Sequence, residues 1–167
     1  DRTSLLEVMH DKVKKVLRSY PNGEPTSRVL YVAQYNDRMG SKEDLRAIHE
    51  GYMRAAMAEL DEADNLFSGI LLCMGRYMCH YLESSTNQLM AYMKVMYHAQ
   101  TTEPRLPYGP VKILNVQDEV PIAFPGWAMR IVQKPEDGDQ YGTLPERVQK
   151  VQKGLVKLGK SLLDDRD

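Results

Sequence analysis

The segment RVLYVAQY at residues 28–35 constrains the fold more than any other part of the sequence. It carries no charge after its first position and consists mainly of β-branched, aromatic and small apolar residues. This composition is typical of a strand that is buried on both faces. Successive side chains of a strand alternate, so Val29 and Tyr31 share one face while Leu30 and Val32 share the other. Both faces of the sheet therefore need a cover.

The rest of the pattern predicts a βαββαββ order around this strand. The predicted elements are the strand at 28–35, a helix at 41–60, strands at 66–74 and 77–83 joined by a Gly75-Arg76 turn, a helix from Ser85 or Thr86 to about His98 with Leu89, Met90, Met93 and Met96 on its inner side, and strands at 111–116 and 126–133. With right-handed crossovers, this order predicts an α+β, ferredoxin-like fold with two helices on one face of the sheet.

Helical periodicity also predicts a helix at each end of the chain, at 1–22 and 143–165, outside a domain at 28–133. The C-terminal helix carries the apolar stripe Val148, Val151, Leu155, Leu158 and Leu162. Because two helices cover only one face of a sheet, we expect the C-terminal helix to pack on the open face. With 167 residues and 43% hydrophobic content, the chain is long enough for one domain core and too short for two independent cores.

Charge and cysteine content argue against several functional classes. The chain has 22 basic and 23 acidic residues, so its net charge of −1 creates no field that would attract nucleic acid or an anionic membrane. It has neither an apolar run of membrane-spanning length nor a secretory signal pattern. Cys73 and Cys79 are predicted to lie on opposite faces of a hairpin, which argues against a disulfide between them and indicates a reducing, cytoplasmic compartment. The two cysteines and four scattered histidines do not have the spacing of a zinc site.

The stretches LYVA, LFSGILL, YLESS and FPGWAM occur in this order along the predicted strands. Together they resemble the strand motifs of the BLUF family, the small flavin-binding blue-light sensor domains, over about residues 28–132. The resemblance places Tyr31 at the tyrosine that donates an electron to the flavin, and Trp127 and Met129 at the family's switching positions. It implies that Tyr31, His80, Trp127 and Met129 would line the cofactor site if FAD is bound.

Three positions depart from the flavin site of that family. His80 stands where the family has a glutamine that bridges the tyrosine and the flavin, and Asp61 and Glu62 fall at the paired asparagines that bind the ring edge. Carboxylates lack the amide donor and add negative charge beside a cofactor that already carries phosphate. We therefore expect a site without cofactor, in which Trp127 serves core packing and His80 satisfies Tyr31. The open alternative is a redox or hydrogen-bonding pair beneath a flavin.

The stretch HYLESSTNQLM resembles the testis-expressed BLUF-domain proteins of ciliated organisms, which lack the flavin ligands. That resemblance implies a non-enzymatic structural or interaction module within a large protein assembly, the axoneme of a cilium or flagellum, with no nucleic-acid or membrane partner. One alternative is a flavin-binding blue-light sensor with output through the C-terminal helix, and another is a small-molecule sensor that uses the emptied pocket. No serine lies in the sequence context of an activated nucleophile, and no glycine pattern resembles a phosphate-binding loop.

Overall fold

The computed structural model describes residues 26–36, 42–61, 63–64, 66–103, 106–132 and 143–164, so the predicted N-terminal helix at 1–22 lies outside the described residues. The elements are β1 (Thr26–Gln34), α1 (Lys42–Leu60), β2 (Ser68–Met74), β3 (Tyr77–Ser85), α2 (Thr86–Thr102), β4 (Lys112–Gln117), β5 (Trp127–Val132) and α3 (Leu144–Asp164). None of the helices in these ranges has both the length and the apolar character needed to cross a membrane.

The five strands form one mixed sheet in the order β4-β1-β3-β2-β5. β1 pairs antiparallel with β3 and β4, and β2 pairs antiparallel with β3, whereas β5 pairs parallel with β2. β1 and β2 therefore run in the same direction with β3 between them, and α1 forms the crossover. This is the ferredoxin-like arrangement with a fifth strand added, so the predicted α+β fold class is confirmed.

The ends of several elements differ from the predicted ones by a few residues. β2 begins at Ser68 rather than at residue 66, and β3 continues to Ser85 instead of ending at residue 83. Ser85 is also the N-cap of α2, because its hydroxyl accepts a hydrogen bond from the backbone N–H of Gln88 at 3.2 Å. At the other end, the hydroxyls of Thr101 and Thr102 donate to the carbonyl of His98, and α2 extends four residues beyond the predicted end.

α1 and α2 cover one face of the sheet and enclose the larger hydrophobic cluster, here called the helix-side core. Its members include Val29, Tyr31, Leu45, Met53, Leu71, Cys73, Met78, Leu82, Leu89, Tyr92 and Met96. The expectation that Met90 faces inward is wrong, since 65% of this residue is exposed. The buried row of α2 passes from Leu89 to Tyr92 and Met96, and Met90 lies about 100° from Leu89 around the helix.

α3 packs on the opposite face and encloses a second cluster, the α3-side core, which contains Leu30, Ile70, Cys79, Tyr81, Ala123, Phe124 and Leu155. Of the predicted apolar stripe only Leu155 is fully buried, while Val151, Leu158 and Leu162 remain exposed. The buried Gln152 takes a place in the sheet-facing row beside Leu155. The prediction for the cysteines is confirmed: Cys79 belongs to this core and Cys73 to the helix-side core, and both are free thiols.

A buried ion pair fixes the loop that leads into β5. Glu83 is fully buried on β3, and its carboxylate lies 3.1 Å from Nη2 of Arg28 on β1. The same carboxylate accepts hydrogen bonds from the backbone N–H groups of Ala123 at 3.0 Å and Phe124 at 3.1 Å. Arg28 also donates to the carbonyl of Pro121 at 2.5 Å. The loop before β5 is therefore attached to the centre of the sheet at three backbone groups.

Helix α3 approaches this loop at a glycine. A Cβ atom added at Gly159 would lie 2.3 Å from the carbonyl oxygen of Ala123 and 2.8 Å from the ring of Phe124, both too close for a real contact. Gly154 lies on the same helix, and a Cβ atom there would meet nothing within 4 Å. Only glycine at position 159 lets α3 come this close to the loop that Glu83 holds.

These two glycines give a matched test of how α3 is seated. We expect Gly154→Ala to stabilise the protein by about 0.5 to 1 kcal/mol, because alanine lowers the conformational entropy of the unfolded chain and favours a helix. We expect Gly159→Ala to destabilise it by about 1 to 3 kcal/mol, because the backbone at Ala123 has to give way. Urea unfolding followed by circular dichroism measures both. Equal stabilisation by the two variants would contradict the packing of α3 on the loop.

Candidate functional site

Three of the four predicted site residues are joined by hydrogen bonds on the helix-side face. Tyr31 on β1 and His80 on β3 are direct partners in the strand register, and the Tyr31 hydroxyl lies 2.6 Å from Nδ1 of His80. The indole N–H of Trp127 on β5 donates to Nε2 of the same imidazole at 2.8 Å. Met129 is buried in the same core two residues further along β5. The strand pairing thus brings residues from three strands together around His80.

The pairing of β2 with β3 requires a glycine at position 69, within the motif LFSGILL. Gly69 has a φ of 128°, in a region that side chains disfavour, and an added Cβ atom would lie 2.1 Å from the carbonyl oxygen of Tyr81 on β3. A larger residue would push β2 away from β3 next to the position where β5 begins. The glycine therefore serves the close pairing of strands under the site.

Two residues that the sequence analysis missed complete the site from the helices. His49 of α1 and Tyr92 of α2 are both fully buried, and Nδ1 of His49 lies 2.7 Å from the Tyr92 hydroxyl. The Tyr92 hydroxyl in turn lies 2.7 Å from the Tyr31 hydroxyl. A signal for both was present: His49 stands four residues after Leu45 and four before Met53 in the buried row of α1, and Tyr92 follows Leu89 by three.

The indole of Trp127 sets the direction of the whole chain of hydrogen bonds. An indole N–H can only donate, so Nε2 of His80 accepts, and a neutral His80 carries its proton on Nδ1 and donates it to Tyr31. The Tyr31 hydroxyl lies 2.7 Å from the Tyr92 hydroxyl and 3.5 Å from Nδ1 of His49, so Tyr31 donates to the nearer Tyr92. Tyr92 then donates to Nδ1 of His49 at 2.7 Å, and both hydroxyl hydrogens are paired over the shorter contacts. Nε2 of His49 ends the chain as a buried N–H without a hydrogen-bond partner among the described residues.

Burial keeps the members of this chain uncharged. Desolvation lowers the pKa of His49 to about 3. The pKa of His80 falls well below its usual value of 6.5, mainly through desolvation and further through repulsion from His49. Desolvation, followed by interaction with Tyr92, raises the pKa of Tyr31 well above 10. Both imidazoles are therefore neutral at physiological pH, as the assigned hydrogen bonds require.

Aromatic rings surround His80, which the resemblance places between Tyr31 and a flavin. The His49 ring lies 5.0 Å from the His80 ring and stacks against Tyr108 at 5.9 Å, and Tyr52 packs on its edge at 5.8 Å. Cavities of about 770, 540 and 360 Å³ occur elsewhere among the described residues, and none of them is lined by Tyr31, His80, Trp127 or Met129. These residues do not fit a tricyclic ring against Tyr31 and His80 unless His49 or Tyr92 moves away.

The structure places two of the three remaining positions that the sequence analysis singled out, Asp61 and Trp127. Asp61 is exposed and adopts a left-handed backbone conformation, with φ of 54°, just after the end of α1, and Glu62 lies outside the described residues. Trp127 is only partly buried, and its hydrogen bond to His80 adds to the packing role that was expected. Within the described ranges, no group of three or more histidine, cysteine or acidic side chains is arranged to hold a metal ion.

The family model described as testis-expressed protein 47 matches residues 25–167. No curated protein matches the chain significantly. Similar solved structures include BlrB, a BLUF protein in its dark state, with 16% identity, a TM-score of 0.43, and 81% of this chain and 84% of that chain covered.

This chain is also similar to parts of two further solved structures. The BlrP1 BLUF structure has 23% identity and a TM-score of 0.43, with 65% of this chain and 64% of that chain covered. A bacterial light-regulated adenylyl cyclase has 14% identity and a TM-score of 0.45, with 83% of this chain covered. This chain spans only 36% of the cyclase chain.

The two buried imidazoles predict a loss of stability in mild acid. Their pKa values are lowered in the folded protein, so as the pH falls below about 6.5 the unfolded chain binds protons that the folded chain does not. Between pH 7.5 and 5.5, each histidine should lower the free energy of unfolding by about 1.4 kcal/mol, and the two together should lower it by nearly 3 kcal/mol. Urea unfolding at the two pH values measures this difference.

Variants identify the source of that loss. His49→Gln should halve the difference between pH 7.5 and 5.5, because one of the two groups no longer titrates. The exposed His98 offers the matched control, and His98→Gln should leave the difference unchanged. If His49→Gln loses as much stability in acid as the unaltered protein, protonation of His49 is not the cause.

Proposed function

Because the chain belongs to the testis-expressed protein 47 family, we propose that it is a non-enzymatic interaction module of a ciliary or flagellar axoneme, built on a BLUF-like domain that works without flavin. Membership of this family confirms the resemblance to testis-expressed proteins, which the stretch HYLESSTNQLM in β3 and α2 indicated. The proposal therefore has two parts, the absence of a flavin and the place in the axoneme, and different observations support them.

The packing of His49 and Tyr92 carries the first part. Both side chains are fully buried, and each makes hydrogen bonds within the chain that begins at Trp127. A flavin at this position would have to displace an imidazole or a phenol and leave the hydroxyl of Tyr31 with fewer partners. Leaving a buried polar group unsatisfied costs about 1 to 3 kcal/mol, which a flavin would have to offset with new contacts.

The position of Asp61 supports the same part. An exposed carboxylate at the end of α1 offers no amide donor to a ring buried beside His80. His80 itself already uses both ring nitrogens, one for Tyr31 and one for Trp127. Neither nitrogen is left to contact a cofactor.

One observation favours the alternative of a blue-light sensor with output through α3. Tyr31 and Trp127, the pair that the family places at its flavin, are still linked through a single side chain, His80. An imidazole, however, cannot undergo the rotation or tautomer change of an amide in the same geometry. We therefore rank the sensor second.

The description of the matching family supports the axonemal part. Testis is the tissue that assembles the flagella of sperm, and a family described as testis-expressed suits a flagellar component. A net charge of −1 gives the chain no general attraction to nucleic acid or anionic lipid. Surface contacts with other proteins remain as the means of attachment.

A flavin-retention experiment tests the first part. The purified protein is incubated with excess FAD, the free ligand is removed, and the visible absorption spectrum is recorded beside that of a flavin-loaded BLUF domain treated in the same way. We expect no retained band for this protein, because a flavin ring in contact with Tyr31 and His80 would have to displace His49 or Tyr92. A retained band that shifts to the red on illumination would overturn the proposal in favour of the sensor.

Fractionation of flagella tests the second part. Detergent removes the flagellar membrane and soluble matrix, and an antibody against the protein then locates it in the extract or in the demembranated axonemes. We expect the protein to stay with the axonemes and to be released only by high salt or chaotrope, as tubulin-associated structural proteins are. Complete release by detergent alone would contradict an axonemal role.

A further inference from the structure

We propose that the free edge of β4 is a docking strand for an extended segment of a partner protein in which acidic and apolar residues alternate. This inference rests on the proposed interaction function and names the surface and the partner chemistry. The segment would pair with β4 as a sixth strand, with its acidic side chains over α3 and its apolar side chains on the opposite face.

The position of β4 makes such pairing available. β4 is the outermost strand of the sheet and pairs with β1 along one side only among the described residues. An outermost strand presents unpaired backbone N–H and C=O groups, which an extended chain can satisfy by main-chain hydrogen bonds. The strand is six residues long, which sets the length of the segment it can bind.

The register with β1 gives the two faces of this edge different chemistry. Asn115 and Gln117 are opposite Leu30 and Arg28, so their side chains point to the α3 side. Between Leu30 and Tyr31 the register shifts by one residue, and beyond this bulge Ile113 is opposite Tyr31 on the helix side. Val116, opposite Val29, points to the helix side as well.

On the helix side the edge is apolar and exposed. Ile113 is 53% exposed and Val116 is 56% exposed. Tyr97 and Met90 of α2 are also exposed, and they lie two helical turns apart. Tyr97 lines a cavity with Pro110, two residues before β4 begins, so this side of α2 adjoins the strand. Apolar side chains of an added strand would find apolar contacts here.

On the α3 side the edge is cationic. A cavity of about 770 Å³ between β4 and α3 is lined by Lys153, Lys157 and Lys160 of α3 and by Asn115 and Gln117 of β4. None of its lining residues is acidic. In its wall, Oδ1 of Asn115 is buried and has no hydrogen-bond partner among the described residues. Carboxylates of an added strand would complement the lysines, and a donor from that strand would complement Asn115.

The two faces together select the occupant. A strand sends successive side chains to opposite faces, so a segment beside β4 meets lysines and apolar groups in alternation. An acidic segment without alternation would bury carboxylates against Ile113 and Val116, and a nucleic-acid strand would use the lysines but not the apolar face. Only an alternating acidic and apolar segment suits both.

A synthetic peptide tests this inference on the full chain. The probe is a fluorescein-labelled peptide with six alternating glutamate and valine residues between Gly-Ser flanks, and binding is followed by fluorescence anisotropy. The control peptide has the same composition with the glutamates and valines in separate blocks. We expect the alternating peptide to bind at least fivefold more tightly than the block peptide, with an affinity that falls as the salt concentration rises.

Two pairs of matched variants locate the site. Lys153→Glu with Lys157→Glu should weaken binding at least tenfold, whereas Arg147→Glu with Lys150→Glu changes the charge of the same helix equally, outside the cavity, and should alter the affinity less than twofold. Ile113→Lys on β4 should weaken binding at least fivefold. Ile131 on β5 is equally exposed, at 53%, and Ile131→Lys should have no effect.

Three outcomes would overturn the inference. One is equal affinity for the alternating and block peptides. A second is an equal loss of affinity in the Lys153→Glu, Lys157→Glu variant and in the Arg147→Glu, Lys150→Glu variant. The third is competition by an oligothymidine strand at the same concentration as the alternating peptide, which would indicate a general polyanion site. None of these outcomes bears on flavin retention, so the failure of the docking strand is distinguishable from the failure of the flavin-free module.

Discussion

The carboxylate of Glu83 is the interaction on which the two-sided sheet depends. It lies in the middle of the sheet and accepts from five donors: Arg28, Tyr81, Ser68, and the backbone of Ala123 and Phe124. Removing a charge from water is costly, and only full pairing of this kind compensates. Because two of the donors belong to the loop before β5, the same group that joins β1, β2 and β3 also fixes where β5 begins. The loop in turn determines where α3 packs, because Gly159 of α3 lies against it.

The position of β5 determines which groups donate and which accept in the hydrogen bonds of the helix-side core. Trp127 is the first residue of β5, and its indole can only donate, so the protons on His80, Tyr31 and Tyr92 all take one direction. The chain leaves a single unpaired N–H, on His49, at its far end. A site arranged in this way has no free acceptor or donor near its centre. Its chemistry is that of a neutral interior, in which a proton can enter only by breaking hydrogen bonds already made.

The sequence predicted those features that follow from alternation and from element order. The two apolar faces of β1 required covers on both sides, and the placement of Cys73 and Cys79 followed from the short turn between β2 and β3. The pattern of α2 misled because three methionines and a leucine look equivalent in composition, and a shift of one residue around the helix decides between burial for Leu89 and exposure for Met90. His49 was missed for a different reason. A histidine in a buried helical row acquires its role only from Tyr92, which lies 43 residues away in sequence.

The hydrogen bonds give the residues that resemble a flavin site a structural role of their own. Tyr31 is opposite His80 in the sheet, and a fully buried phenol at that position needs a partner whether or not a cofactor is present. His80 supplies it, and Trp127 in turn satisfies the second nitrogen of His80, so each residue meets a hydrogen-bonding need of the next. The two edges of the sheet differ, because the loop that Glu83 holds fixes β5, whereas the outer backbone groups of β4 are unpaired among the described residues and lie beside the lysines of α3.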